Sequence, residues 1–134
     1  MKKKKRVAYT AIFEWGEDGS YDVSFPALAG CYSSGDSFME AYECSKEAIG
    51  LYLTTISKRG KAFPDEKALD VKNLELSENE RLVIVVVEDI NKYRPQKAVN
   101  KTVTLPYWLN EIAEKEHVNF SGVLQEALKE KLEV

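Results

Sequence analysis

The sequence predicts an α+β fold followed by a small, separately organised strand–helix–helix tail. Three observations carry that prediction. Short β-rich runs, broken by Gly, Asp and Pro turn signals, surround one long helical repeat in the first ninety residues. An acid-free stretch with a proline, Asn91–Ala98, interrupts the pattern. Beyond it, a two-residue alternation gives way to apolar residues at helical spacing. With 134 residues and a 44 % apolar fraction, the chain is sized for one compact domain or two very small ones. The expected division is 1–90 and 99–134, joined by a linker at 91–98.

The elements follow in order. Arg6–Phe13 is β-branched and aromatic, as a strand requires. GEDGS (Gly16–Ser20) is a dense turn signal, after which Tyr21, Val23 and Phe25 alternate with Asp22 and Ser24, so the two strands read as a hairpin. Pro26 ends the second strand, and a short third strand is expected around Cys31–Ser33. Ser37 followed by Glu40 fits a capping box. Phe38, Ala41, Tyr42, Ser45, Ala48, Ile49, Tyr52, Leu53 and Ile56 then recur at helical spacing up to Gly60, a natural stop. Between 61 and 80 the sequence is polar and irregular, apart from a short helix expected around Glu66–Val71. Leu82–Val87 (LVIVVV) is an unbroken apolar run, as expected of a strand covered on both faces. The first part is thus strand, strand, strand, helix, strand, with the helix on one sheet face.

In the tail, Asn100, Thr102 and Thr104 fall on one face of an extended segment, and Val99, Lys101, Val103 and Leu105 on the other. Pro106 opens a helix with Trp108, Leu109, Ile112 and Ala113 inward, and Asn119 is a good N-cap for a second. Phe120, Val123, Leu124, Ala127, Leu128 and Leu132 share one face of that second helix. A strand and two short helices bury too little surface alone, so the tail requires a second copy.

Charge is unevenly spread. Met1–Arg6 carries +5; Val7–Ile90 holds seven basic against sixteen acidic residues, or −9; Asn91–Lys101 carries +4; and Thr102–Val134 carries −3. Such asymmetry points to nucleic-acid or charged-protein partners. The lysine-rich start reads as a solvated arm. The longest apolar run is far short of the roughly 20 residues of a membrane span, and VAYTAIF is too quickly followed by acids for a secretory signal. Cys31 and Cys44 are not in a paired metal spacing and there is one histidine, so no structural zinc site, disulfide framework or cofactor is expected, and the protein reads as cytoplasmic with free thiols.

Two resemblances add to this reading. The span Val99–Leu132 (NKTVTLP, YWLNEIAEKEHV, NFSGVLQEALKEKL) resembles the ribbon-helix-helix fold. That resemblance implies a homodimer whose paired strands enter the DNA major groove, with Asn100, Thr102 and Thr104 facing the bases. It also implies that the start of the second helix, at Asn119, Phe120 and Ser121, holds a phosphate with help from Lys97 and Lys101. Val103, Leu105, Leu109, Ile112, Val123, Leu124 and Leu128 would form the dimer core. Lys92 and Arg94 would add to the attraction for phosphates.

The first part resembles the N-terminal domain of HicB-type antitoxins. The matching residues are Tyr21, Val23, Phe25 and Pro26, then Gly30, Cys31, Ser33, Gly35, Asp36 and Ser37, followed by a helix that opens with acids and alanines. This resemblance implies a degraded RNase H-like domain that binds and masks a HicA-type toxin, a small basic ribonuclease, while the tail binds operator DNA of its own operon. No residue stands out in the sequence as a toxin contact.

RNase H-like nucleases gather carboxylates around two metal ions. Here the first strand offers none before Glu14, and Asp22, Asp36, Glu40 and Glu47 read as scattered, so no enzyme activity and no metal are expected. His117 reads as a surface residue, and Trp15 and Trp108 as packing residues. Two alternatives stand beside the antitoxin reading: a ribbon-helix-helix repressor with a ligand-sensing first domain, and an RNase H-like nuclease tethered to DNA by its tail.

Overall fold

The computed structural model describes residues 4–66 and 71–134 of the chain, which fall into two units, 4–95 and 96–134. In the first unit, β1 (Val7–Trp15) and β2 (Tyr21–Ser24) form the expected hairpin, with Gly19 at a φ of +81° inside the turn. That left-handed conformation suits glycine. The third strand, β3, lies at Tyr32–Gly35, slightly later than the sequence suggests, because Phe25–Cys31 closes into successive turns with Leu28 and Cys31 amides donating to Phe25 and Leu28 carbonyls. β4 (Glu80–Val87) completes an antiparallel sheet of order β3-β2-β1-β4.

The single long helix, α1 (Phe38–Lys58), lies on one face of this sheet. Ser37 Oγ accepts the Glu40 amide at 3.1 Å, and Glu40 Oε2 reaches back to the Asp36 amide at 3.1 Å. The capping box is therefore present, shifted by one residue on its return arm. At the other end the Gly60 amide donates to Ser57 and the Lys61 amide to Ile56, with Gly60 at a φ of +72°. These two bonds are the signature of a Schellman cap. Tyr9, Ala11, Phe13, Val23, Val85 and Val87 project from the sheet against Ala41, Ile49 and Leu53. Each large apolar side chain fully buried in this layer contributes about 1.5–3 kcal/mol. Ser45 is accommodated among them because its hydroxyl donates to the Ala41 carbonyl at 2.6 Å.

One expectation for the sheet requires correction: β4 is an edge strand, not one covered on both faces. Its odd positions meet the core, whereas Leu82 and Ile84 are 36 % and 53 % exposed on the opposite face. A continuous apolar run does not distinguish two covered faces from one covered face and one open one. At the start of the segment expected as a linker, Ile90–Tyr93 forms a short 3-10 turn with Ile90 buried and the Tyr93 ring packed against Gly50. A Cβ on Gly50 would stand 2.9 Å from Tyr93 Cε1, so the missing side chain makes room for the ring. The short helix expected around Glu66–Val71 falls mostly on residues 67–70, outside the described residues; Val71–Asn73 forms a 3-10 turn.

The second unit contains α2 (Tyr107–Lys115) and α3 (Phe120–Leu132). Pro106 stands at the N-cap of α2 with no side-chain cap. α2 ends in a second Schellman cap, the His117 amide donating to Glu114 and the Val118 amide to Ala113, with His117 at a φ of +54°. Asn119 Oδ1 accepts the Gly122 amide at 3.1 Å and so caps α3 as expected. The strand expected before Pro106 is absent: 99–105 carries no regular structure. A strand is defined by its ladder, and no strand of the described residues pairs with this segment.

Candidate functional site

Strand register gathers carboxylates that look scattered in the sequence. Glu14 of β1 is the cross-strand neighbour of Asp22 on β2 and of Glu80 on β4, so three acids line one row across the sheet. Glu17 and Asp18 lie in the adjoining β1–β2 turn. Glu78 belongs to the segment before β4, which is tied to the same end by the Trp15 amide donating to the Asn79 carbonyl at 3.0 Å. Arg81, the residue after Glu80, lies over the Trp15 ring and donates to the Glu78 and Glu80 carbonyls. Like charges in register repel, so this end of the sheet concentrates negative charge. Hydrogen bonds from Ser20 hold the Asp18 carboxyl below its usual range, and the Ser77 amide and hydroxyl do the same for Glu80. Both therefore stay ionised at neutral pH. Among the described residues no three His, Cys, Asp or Glu side chains are grouped closely enough to hold a metal ion.

Three titratable groups of the body, Tyr9, Glu66 and Cys31, are committed to structure. Tyr9 donates its hydroxyl to the Pro64 carbonyl at 3.0 Å, and burial, with Glu66 and Asp65 nearby, pushes its pKa up to about 12. β2 pairs only with the second half of β1, and at Thr10 the Glu66 carboxylate takes the amide that β2 does not reach, at 2.7 Å. Cys31 is buried, its Sγ 3.7 Å from the Ala48 carbonyl, and desolvation raises the thiol to about 11. Such a thiol is inert at neutral pH.

In the tail, every residue read as dimer core is exposed. Val103, Leu105, Leu109, Ile112, Val123, Leu124 and Leu128 lie between 38 % and 56 % exposed, and neither α2 nor α3 buries a single residue. Asn100, Thr102 and Thr104 are exposed at alternate positions of one short segment. Asn119, Phe120 and Ser121 share the N-terminus of α3, where the helix's own geometry leaves the first-turn amides of Phe120 and Ser121 over for an outside acceptor. All four basic residues between Asn91 and Lys101 are exposed; Lys92 lies over Tyr93, and Arg94 lies over Phe63 with its Nε donating to Asn91 at 2.8 Å. Nothing in the sequence marks the carboxylate row or the apolar outer face of β4. Both depend on which strands pair, and the periodicity of a single strand carries no such signal.

No helix among the described residues is long and apolar enough to cross a membrane. Residues 9–128 match the family profile described as HicB-like antitoxin of bacterial toxin–antitoxin systems. A UPF0150 protein of Thermoplasma acidophilum is 38 % identical over 63 residues, covering 47 % of this chain and 91 % of that protein. Another, from Synechocystis, is 40 % identical over 58 residues, covering 43 % of this chain and 73 % of that protein. The fold is similar to that of the antitoxin HicB of Burkholderia pseudomallei, with a TM-score of 0.59 at 21 % identity over 94 % of this chain and 98 % of that one. It is also similar to a chain of a toxin–antitoxin complex from Streptococcus pneumoniae, with a TM-score of 0.52 at 22 % identity over 95 % of this chain and 99 % of that one.

Proposed function

The chain belongs to the HicB-like antitoxins of bacterial toxin–antitoxin systems, and on that premise we propose that its first unit masks a small basic ribonuclease of the HicA type while its tail pairs with a second copy to bind the operator of its own operon. The family is one of antitoxins, not enzymes. The observation that carries the reading of the tail is its uncovered apolar set: a strand-length segment and two capped helices expose all seven of the proposed core side chains. Covering them at roughly 25 cal/mol per Å² is the largest stabilisation open to the tail. A second copy supplies an identical apolar face and a ladder partner for 99–105.

On this reading Asn100, Thr102 and Thr104 of two chains form the outer face of a two-stranded ribbon and read base edges. Asn119, Phe120 and Ser121 hold a phosphate at the positive end of α3, and Lys97 and Lys101 add electrostatic attraction. The body has a different task. Its −9 charge between Val7 and Ile90, with Glu14, Asp22 and Glu80 in one row, favours encounter with a cationic RNA-binding surface.

The test uses the full chain carrying Asn100→Ala, Thr102→Ala and Thr104→Ala together. Gel shifts with DNA from the chain's own promoter should show specific binding reduced to the non-specific level, about tenfold or more for each base edge no longer read. Inhibition of the toxin's RNA cleavage should be unchanged. Specific binding that survives all three substitutions refutes the ribbon assignment, and loss of toxin inhibition refutes the division of labour.

A further inference from the structure

We propose that the face of the sheet opposite α1 is the surface that docks the small basic ribonuclease, its apolar positions holding the partner and its carboxylate row drawing it in. The inference rests on the masking role proposed above for the first unit and names the face that performs it.

α1 covers the sheet face that carries Tyr9, Phe13, Val23 and Val85, so alternation sends the remaining positions of each strand to the other side. Register arranges those positions in rows. One row runs Ser34, Asp22, Glu14, Glu80 across β3, β2, β1 and β4, and the next runs Tyr32, Ser24, Ile12, Leu82. Ile84 and Val86 continue the apolar surface along β4, beside Thr10 and Ala8. Tyr32, Leu82 and Ile84 are 72 %, 36 % and 53 % exposed, and Ile12 and Val86 are half-buried. Thr10 alone of these positions is buried, where the Glu66 carboxylate takes its amide. Same-face positions lie about 7 Å apart along a strand, so the apolar row directly borders the acids.

The chemistry of the face selects its occupant. Glu14, Asp22 and Glu80 stand in one row, and no Lys or Arg occupies a strand position of this face. A partner that covers the apolar positions must bring cations to their border, or leave the three carboxylates without counter-charge. A second copy of the face brings only more carboxylates, and an anionic nucleic-acid or lipid surface is repelled. A basic ribonuclease carries the required charge on the surface that grips RNA, so docking here hides that surface from its substrate. The outer side of α1 offers a poorer seat. Its exposed apolar residues Met39 and Leu51 are separated by Glu43 and Glu47 over about 18 Å of helix, so they form no continuous patch.

The two kinds of residue separate kinetically, since charge at a rim sets the association rate and a buried apolar centre sets the lifetime. The full chain is measured by stopped flow against the purified HicA-type protein encoded beside it, as wild type, Tyr32→Thr, Leu82→Thr with Ile84→Thr, and Leu51→Ala. Threonine keeps the strand propensity of the residues it replaces. Circular dichroism checks each fold, and Ile84→Thr alone replaces the double change should that not fold. Tyr32→Thr and the β4 change, on opposite edges of the sheet, should each speed dissociation about tenfold or more, with association changed less than about twofold. Leu51→Ala should match wild type. Sheet variants that dissociate like wild type overturn the proposal, as does a loss confined to the β4 variant, which assigns the effect to that strand alone. Faster dissociation of Leu51→Ala also overturns it, moving the docking surface to α1 and leaving the masking role standing. A wild type that neither binds the basic protein nor blocks its RNA cleavage refutes the masking role itself, and this proposal with it.

Discussion

Gly35 is the position at which the sheet and α1 approach most closely, and Gly35→Ala tests whether that approach is as tight as the structure has it. Gly35 pairs with Tyr21 at the end of β3 and faces the first turn of α1. A Cβ built there stands 2.7 Å from Ala41 Cα and 2.9 Å from the Glu40 carbonyl carbon, and closer still to the Ala41 amide nitrogen. All three atoms are backbone, so no rotamer change relieves the clash. To restore ordinary separation the first turn of α1 must withdraw by about 1 Å, against the packed layer beneath it. That turn is fixed by the Ser37 cap at 3.1 Å and by Phe38, whose ring lies 5.3 Å from that of Phe13 and 5.9 Å from that of Tyr21. Overpacking a tight core costs about 1–3 kcal/mol, and losing the cap adds about 1 kcal/mol. The expected total of about 3 kcal/mol lowers the melting temperature by roughly 12–24 °C for a unit of this size. The comparator is Gly30→Ala, where nothing lies within 4 Å but φ is +83°; its cost is the backbone strain of about 1–2 kcal/mol alone. Thermal melts of the full chain followed by near-ultraviolet circular dichroism read both variants. If Gly35→Ala melts no lower than Gly30→Ala, the steric reasoning is wrong.

Three further outcomes are expected. The two Schellman caps put Gly60 and His117 in the same left-handed position, so His117→Gly should stabilise the tail by about 0.5–1 kcal/mol, and Gly60→Ala should destabilise the body by about 1 kcal/mol; equal and negligible effects in denaturant melts would contradict the cap geometry. Tyr9→Phe removes the donor to the Pro64 carbonyl and should cost about 1–2 kcal/mol at neutral pH. Because the folded chain holds the Tyr9 proton up to a pH of about 12, against an ordinary value of 10.0, the wild type should lose stability as pH rises between those values. Tyr9→Phe should lose less over the same window, and identical alkaline slopes for the two proteins would rule out the buried hydroxyl. Glu14→Gln relieves repulsion from Asp22 and Glu80 and should raise the melting temperature at low salt, the gain shrinking at high salt. The same change should slow association with the proposed basic toxin, measured by stopped flow, and an unchanged rate would remove the carboxylate row from the encounter.

What the sequence makes legible is what short-range chemistry determines. The hairpin follows from alternation around a Gly/Asp turn, the start of α1 from Ser37 and Glu40, its end from Gly60, and α3 from Asn119. What stays hidden depends on partners distant in the chain. Glu14, Asp22 and Glu80 form one row only because β1 lies between β2 and β4 in this register. LVIVVV looks doubly covered because an apolar run is blind to which of its faces receives the helix. His117 gives only a faint hint of a helix cap, since non-glycine residues rarely take the left-handed region, although histidine does so more often than most. The segment 99–105 shows the converse: its alternation is plain in the sequence, yet it forms no strand, since a period-two pattern proposes a ladder that a single chain here does not complete.

The electrostatics of the two units impose a limit on how the tail can work. Of the four exposed cations between Asn91 and Lys101, Lys92 and Arg94 lie over aromatic rings, and Lys97 and Lys101 are the pair proposed to meet phosphate. Each phosphate neutralised contributes about 0.9 to the salt dependence of binding to duplex DNA. Two such lysines per copy, doubled by pairing, give a logarithmic slope of only about −3 to −4. The tail itself, with three basic and six acidic residues from Thr102 to Val134, adds no long-range attraction. Tight operator binding on the proposed reading must therefore come from groups placed at short range, from the α3 amides and the Asn100, Thr102 and Thr104 face, and from linking several such weak interactions in one assembly.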